Sequence, residues 1–254
     1  MNKPIEIAWI RGGDARCDIQ PDKPPGSPWR LVLLGAPGVG KGTQAEILCA
    51  RLGACHLSTG DILRSAECPT CVTRSQALQS AILNMRKGGL VPDETMLELV
   101  GERGRCLRCC GGFVLDGFPR TVAQAEGLDE LLIREGVVLD AVITYELSVN
   151  EIVRRLSGRL VCPDCKAVFH RTKKRPIREG ICDACGGRLV RRADDEPDAI
   201  RTRMTLYEEK IGPLLEWYAR KGLLIRVPAY GAPEEIYARM WTCRQSLRVT
   251  AASP

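Results

Sequence analysis

The sequence contains no run of 18 apolar residues, so it predicts no membrane-spanning helix. The apolar run at residues 5–10 is short and includes Glu6, so we expect no signal peptide. Aromatic residues make up only 5% of the chain, which is few for a protein that stacks nucleic-acid bases. These shortages indicate a cytoplasmic protein that binds neither membranes nor nucleic acids.

What remains is the composition of an ordinary globular protein. The chain has 254 residues, of which 44% are hydrophobic and 27% are charged. At about 150 residues per domain, this length predicts one large domain or two modest ones. Such a chain can bury a core without help from disulfides.

Positive charge is concentrated in one segment. Residues 159–192 carry ten basic and three acidic side chains, a local charge of +7, whereas the whole chain has +6. The rest of the chain therefore sums to −1. We expect this segment to bind a polyanion. A nucleic acid is the weaker choice, because the segment offers only Phe169 for base stacking.

Apolar, strand-like runs alternate with helical patterns along most of the chain. The predicted strands are 30–35, 54–57, 112–116, 141–147 and 223–227. The predicted helices are 41–52, 77–85, 92–102, 122–134, 149–157, 199–221 (with Pro213 inside) and 233–242. This alternation predicts an α/β fold with a five-stranded parallel sheet and helices on both faces.

Residues 35–43 read Gly-Ala-Pro-Gly-Val-Gly-Lys-Gly-Thr between a predicted strand and a predicted helix, the context of a phosphate-binding P-loop. Glycines let backbone N–H groups close around phosphate oxygens, and the helix N-terminus adds partial positive charge. In the general motif a Ser or Thr follows the lysine, whereas here Gly42 intervenes; a glycine-rich turn without a ligand is the alternative. The residues expected to contact nucleotide phosphates are Gly38, Val39, Gly40, Lys41, Gly42 and Thr43.

Four cysteines in the basic segment, Cys162, Cys165, Cys182 and Cys185, have the spacing C-x2-C-x16-C-x2-C. This spacing predicts a structural Zn²⁺ site with four thiolate ligands and no open position. Disulfides and free thiols are the alternatives, and His170 is a lesser candidate ligand. Zinc with four thiolates adds −2, so the loaded segment stays near +5.

The remaining cysteines leave a second metal site open. Cys68/Cys71 and Cys106/Cys109 have the same C-x2-C spacing, and Cys110 is adjacent. The two groups are expected at opposite ends of parallel strands. A five-residue strand spans about 17 Å, which is too far for shared zinc ligands.

Together with three further segments in the expected order, these motifs resemble the adenylate kinases with a long zinc-binding lid. The three segments are Ser-Thr-Gly-Asp-Ile-Leu-Arg at 58–64, Leu-Val-Pro-Asp-Glu at 90–94 and Asp-Gly-Phe-Pro-Arg at 116–120. The resemblance covers about residues 30–241. It implies Mg²⁺-dependent, reversible transfer of a phosphoryl group from ATP to AMP by a P-loop kinase-like fold, and we expect a monomer.

The resemblance also implies an AMP site. Arg64 is expected to bind the AMP phosphate, Thr59 to lie against the base or sugar, and backbone groups near Val91 to face the adenine. On its own, Ser58-Thr59-Gly60-Asp61 is also an ordinary helix-capping stretch.

Asp116 ends a buried strand beside the P-loop, where a carboxylate can hold Mg²⁺ or its waters. By resemblance, Gly117 and Arg120 belong to the AMP site, and Arg120 pairs with the acceptor phosphate. Gln124 can present a donor and an acceptor to the adenine edge. A capped strand end with a solvated Arg120 is the alternative.

Four arginines flank the basic segment: Arg155, Arg159, Arg192 and Arg203. By resemblance, Arg155 and Arg159 contact ATP, whereas Arg192 and Arg203 contact AMP and the transferred group. Phosphoryl transfer depends on such charges, because its transition state spreads negative charge over three oxygens. The expected catalytic set is Lys41, Asp116, Arg120, Arg159, Arg192 and Arg203. Asp194-Asp195 are expected either to bind the closed lid or merely to cap a helix.

The expected organisation has a core interrupted by two insertions. The segments are an extension (1–29), core with the P-loop (30–57), an AMP-binding lobe (58–91), core (92–158), the zinc-binding lid (159–192), core (193–243) and a tail (244–254). The segment 228–233 departs from the family pattern near the donor adenine, so GTP stays open as a donor. A kinase with another acceptor base is the alternative to adenylate kinase, although Thr59 and Gln124 favour AMP.

Overall fold

The computed structural model describes residues 9–10, 28–65, 75–86, 91–165, 167–192 and 195–251. The strands are β1 (Trp29–Gly35), β2 (Cys55–Ser58), β3 (Gly112–Asp116), β4 (Ala141–Glu146), β5 (Arg159–Val161), β6 (Val168–His170) and β7 (Leu224–Pro228). Five of them form one parallel sheet in the order β2-β3-β1-β4-β7. The predicted fold class is confirmed.

The described residues form nine helices. They are α1 (Lys41–Leu52), α2 (Thr59–Ser65), α3 (Gln76–Arg86), α4 (Asp93–Gly101), α5 (Gly104–Leu107), α6 (Val122–Arg134), α7 (Val149–Ser157), α8 (Pro197–Arg220) and α9 (Pro233–Ala251). The short helices α2 and α5 were not predicted, and α9 continues nine residues beyond its predicted end. None of the described helices combines the length and apolar character that a membrane crossing requires.

Side chains of the central strand β1 alternate between two apolar layers. Val32 and Leu34 belong to a core that includes residues of α4, α6 and α8. Leu31 and Leu33 belong to a second core that includes residues of α1 and α9. Helices therefore cover both faces, as parallel sheets require, since both faces of each strand are apolar.

The carboxyl ends of the strands meet beside the P-loop. Gly35, the last residue of β1, is followed by the loop, and Leu33 pairs in register with Asp116 at the end of β3. Ser58 at the end of β2 pairs with Asp116 from the other side. Open α/β sheets bind ligands at this edge, so the topology brings the predicted site residues together.

The basic segment forms a small lobe of its own, around the antiparallel pair β5–β6. Isolated bridges join Val161 to Val190 and Ile181 to Arg188. Among its described residues, the buried apolar cluster contains Phe169 and Leu189 besides two cysteines. So small a core cannot stabilise a lobe by apolar burial alone.

Candidate active site

The P-loop leaves the N-terminus of α1 open. Gly38 and Gly40 have φ angles of 80° and 111°, which favour glycine, and a Cβ on Gly38 would lie 2.6 Å from the Leu156 side chain. Gly40 is the N-cap of α1 and provides no side-chain cap. The first N–H groups of the helix lack intrahelical acceptors, so the loop is suited to an anion. Val39 is buried, Gly42 is partly buried and Thr43 is exposed.

Lys41 is held over the loop that precedes it. Its Nζ donates hydrogen bonds to the carbonyl oxygens of Gly35, at 2.6 Å, and Ala36, at 3.1 Å. Burial lowers the pKa of Lys41 to about 8; Asp116 opposes this shift, whereas Arg120, Arg203 and Arg159 add to it. Charges from separate parts of the chain therefore act on one ammonium group.

Asp116 lies at the end of β3, with one carboxylate oxygen 3.6 Å from Nε2 of His56. Burial acts to raise the pKa of Asp116, but His56, Lys41 and Arg120 more than offset it, so the pKa is lowered. The carboxylate is thus ionised near neutral pH. An ionised oxygen ligand beside a phosphate loop fits Mg²⁺ or its bound waters.

Thr59 and Gly117 meet where α2 begins. The Thr59 hydroxyl donates to the Asp116 carbonyl at 3.3 Å. A Cβ on Gly117, whose φ is 88°, would lie 2.8 Å from that hydroxyl. The Ser58 hydroxyl accepts a hydrogen bond from the Asp61 N–H, so this stretch does cap a helix, and its contact with AMP stays a prediction.

Gln124 organises the turn around Arg120. Its Oε1 accepts a 2.7 Å bond from the Arg120 N–H, and its Nε2 donates at 2.7 Å to Asp93. The Arg120 guanidinium donates to the Gly117 carbonyl at 2.8 Å. Gln124 is buried and has one N–H and one lone pair left for adenine, so its adenine contact stays a prediction.

The structure says less about two other residues that were predicted to bind AMP. Val91 is partly buried and packs against the core. Arg64 lies in α2, but its side chain is outside the described part of the chain. The predicted phosphate contact of Arg64 therefore stays a prediction.

Arg155, on α7, joins the P-loop to the segment after β7. Its guanidinium donates to the carbonyls of Val39, at 2.9 Å, and Ala229, at 3.0 Å. Glu151 accepts a third bond from its Nε at 3.2 Å. Arg155 thus connects the phosphate loop to the segment 228–233.

Asp195 connects the arginines at the base of the lid. Its carboxylate accepts two hydrogen bonds from Arg159, and Arg203 lies 3.9 Å from one of its oxygens. The Arg192 carbonyl accepts from the Asp195 N–H. The N-cap of α8 is Glu196, so Asp195 is not a bare helix cap. Asp194 lies outside the described residues.

Five of the predicted catalytic residues thus share one electrostatic centre: Lys41, Asp116, Arg120, Arg159 and Arg203. The sequence interpretation missed His56, which acts on Asp116. The signal was available, because His56 lies two residues before Ser58, so both side chains share one face of β2, and Ser58 pairs with Asp116.

The four lid cysteines converge. All four Sγ atoms lie within 4.8 Å of one another, with 3.4 Å between Cys162 and Cys185 and 3.5 Å between Cys165 and Cys182. A tetrahedral site with Zn–S bonds of about 2.3 Å has sulfur–sulfur edges of about 3.8 Å. The cluster therefore fits zinc. His170 lies outside it, and its Nδ1 accepts the Thr172 and Lys173 N–H groups.

No second metal-binding group of three or more ligands occurs within the described ranges. Cys106 and Cys109 are buried and Cys110 is exposed, while Cys68 and Cys71 lie outside the described residues. The Cys109 sulfur lies 3.2 Å from that of Cys55, the first residue of β2. Cys109 is thus at the amino end of the sheet, as the strand order predicted.

The sequence matches known proteins over the region that contains this site. A model of the adenylate kinase family matches residues 33–223. The adenylate kinase of Caldicellulosiruptor bescii is 46% identical over 205 residues, which cover 81% of this chain and 93% of the relative. The adenylate kinases of Carboxydothermus hydrogenoformans and Streptomyces avermitilis are 43% and 42% identical, over 82% and 83% of this chain and 96% and 94% of their own. The chain therefore belongs to the adenylate kinase family and is a nucleoside monophosphate kinase, a phosphotransferase that acts on ATP and AMP.

Proposed function

We propose that the charges around Lys41 perform the phosphoryl transfer from ATP to AMP. The observation that carries this assignment is the set of groups that act on Lys41: three arginines from different segments and the Asp116 carboxylate. Phosphoryl transfer needs little covalent work from the protein, since positioning and charge stabilisation suffice. Cations that converge before substrate binds are suited to this task.

On the donor side, the P-loop residues Gly38–Thr43 cradle the ATP phosphates, and Lys41 reaches the β- and γ-phosphates. Arg155 borders the donor where Val39 and Ala229 come together. Asp116 would hold Mg²⁺ or its waters, and the ion would supply positive charge against the negative charge that develops on the phosphates.

On the acceptor side, the residues assigned to AMP are Thr59, Arg64, Val91, Gly117, Arg120, Gln124, Arg192 and Arg203. Arg120 holds the AMP phosphate close to the donor, supported by its bonds to Gly117 and Gln124. Gln124 and Thr59 recognise adenosine. Donor and acceptor phosphates then meet above Lys41 and Asp116.

The lid supplies further charge and excludes water. We assign Arg159, Arg192 and Arg203 to the transferred phosphoryl group, because Asp195 joins Arg159 and Arg203 at the base of the lid. Closure of the basic segment 159–192 prevents hydrolysis of ATP. A structural zinc ion on Cys162, Cys165, Cys182 and Cys185 supplies the folding free energy that the small lid core lacks.

We further propose a monomer without nucleic-acid or membrane partners, divided into the core, AMP-binding lobe and lid given above. A cytoplasmic location agrees with the cysteines, because none of the ten in the described part of the chain forms a disulfide, as is usual for proteins of reducing compartments.

A coupled assay of ADP formation tests the assignment. With ATP, AMP and Mg²⁺ we expect turnover that disappears when AMP is omitted. Lys41→Ala and Arg120→Ala should each lower kcat/KM by about a hundredfold or more while the far-UV circular dichroism stays unchanged. GTP as donor, and UMP or CMP as acceptor, measure base preference. Variants with unchanged rates would remove these residues from the mechanism.

A further inference from the structure

The segment before the family match contributes a side chain to the core. Trp9 is 1% exposed and belongs to the buried cluster that also contains Val32 and Leu34 of β1. That cluster also includes Ile62 of α2, Leu78 of α3 and Leu99 of α4. The indole therefore lies beside α2, the helix that carries Thr59 and Arg64 of the proposed acceptor site, although the family match begins only at residue 33.

A hydrogen bond fixes the indole to the acceptor segment itself. Trp9 Nε1 donates to the carbonyl oxygen of Ser58 at 3.0 Å, and this bond is buried. Ser58 ends β2, and the next residue is Thr59, whose hydroxyl is bonded to the Asp116 carbonyl. The indole thus constrains the backbone one residue before a proposed AMP contact.

A buried arginine binds the backbone of Trp9 and Ile10. The Arg103 side chain is 1% exposed and donates to the carbonyls of Trp9, at 2.6 Å, and Ile10, at 3.3 Å. A third bond, to the Leu99 carbonyl at 2.5 Å, ties it to α4. A buried guanidinium requires such acceptors, so Trp9 is held by both its side chain and its backbone.

We propose that Trp9 is a positioning residue for the acceptor nucleotide: it fixes the turn from β2 into α2 and so sets the affinity for AMP. This inference rests on the acceptor site proposed above. Trp9 does not touch the reacting atoms; it acts through Ser58 and Thr59. Its loss should therefore weaken AMP binding and leave the donor side, across the P-loop, unchanged.

Steady-state kinetics of Trp9→Phe and Trp9→Ala test this role. Trp9→Phe keeps most of the ring volume but cannot donate to Ser58, and we expect the KM for AMP to rise about fivefold, as for one lost hydrogen bond. Trp9→Ala should raise it about tenfold or more. In both variants the KM for ATP and the kcat at saturating AMP should stay within about twofold of the parent. Free indole should restore the KM of Trp9→Ala by refilling the cavity.

Two control variants separate the possible failures. Trp241→Ala removes a tryptophan from the opposite layer, where it packs edge-on against Trp29, and should lower the melting temperature without a selective change in the KM for AMP. Thr59→Val tests the acceptor site directly and should raise that KM. If Thr59→Val has no effect, the acceptor assignment is wrong. If Thr59→Val acts but Trp9→Phe does not, or if both KM values rise equally in Trp9→Phe, the role of Trp9 is overturned. If Trp9→Ala does not fold, Trp9→Phe alone decides.

Discussion

Asp195 and Arg159 form a two-point ion pair at the base of the lid. The Asp195 oxygens accept bonds from Nε of Arg159, at 2.7 Å, and from its Nη2. Arg159 begins β5, where the chain enters the lid, and Asp195 lies just before α8, where the chain has returned. The pair therefore joins the two connections of the lid.

Asp195→Ala should destabilise the protein more than loss of an exposed ion pair does. The Asp195 side chain is fully buried while Arg159 is 17% exposed, so removal of the carboxylate leaves two arginines without their shared counter-ion. We expect a loss of about 3 kcal/mol in the free energy of unfolding, measured by urea denaturation.

The control for this variant is Asp198→Ala. Asp198 pairs with Arg201 on the surface, with side-chain exposures of 92% and 74%, and should contribute less than about 1 kcal/mol. Equal losses in the two variants would mean that the buried pair does not stabilise the base of the lid.

The sequence was sufficient to predict the sheet and the phosphate loop. The sheet strands are apolar on both faces, so their runs stand out from the amphipathic helices, and glycine at Gly35, Gly38 and Gly40 marks a loop that needs special backbone angles. The short helices α2 and α5 were not predicted, because they span too few residues to show a periodic pattern.

Contacts between residues that are far apart in the sequence could not be predicted in the same way. Asp195 is 36 residues from Arg159, and Trp9 is 49 residues from Ser58. No local pattern distinguishes Asp195 and Arg159 from charged residues on the surface. None distinguishes Trp9 from the other residues of an N-terminal extension. Only the tertiary arrangement shows that they are buried and bonded.

The low pKa of Lys41 should limit ATP binding at high pH. With a pKa of about 8, the free enzyme loses this charge as the pH rises through 8, so kcat/KM for ATP should fall by about tenfold per pH unit above that value. Between 8 and 10.5 the unfolded chain binds more protons at Lys41 than the folded one. The contribution of Lys41 to the free energy of unfolding therefore becomes more favourable as the pH rises. The fall in kcat/KM above pH 8 is thus not explained by a loss of stability through Lys41.

Lys41→Arg is the control for the pH profile. Arginine stays charged throughout this range, so the variant should be slower than the parent but show no fall in kcat/KM between pH 7.5 and about 9.5. A parent enzyme whose kcat/KM stays constant over the same range would contradict the assigned pKa.

Arg155→Met should weaken ATP binding selectively. The substitution keeps an unbranched apolar chain but removes the bonds to the carbonyls of Val39 and Ala229. We expect the KM for ATP to rise about tenfold, because the phosphate loop and the segment after β7 are no longer held in place, while the KM for AMP stays unchanged.

The adjacent residue provides a matched control for Arg155. Arg154 pairs with Glu151 and its side chain is 67% exposed, so Arg154→Met should keep both KM values close to those of the parent. A similar rise in the KM for ATP in both variants would indicate a general effect of lost positive charge on α7.

Cys162→Ser should remove the zinc ion and loosen the lid. The Cys162 Sγ lies within 4.8 Å of the other three sulfur atoms, and the described residues of the lid bury few other side chains. We expect one zinc per chain in the parent, by elemental analysis, and a melting temperature lower by about 5 °C or more in the variant.

Cys110→Ser, at an exposed thiol outside the cluster, should keep both the zinc and the melting temperature. A Cys162→Ser protein with full zinc and an unchanged melting temperature would overturn the ligand assignment. Two zinc ions in the parent and one in Cys110→Ser would instead establish a second site among the remaining cysteines.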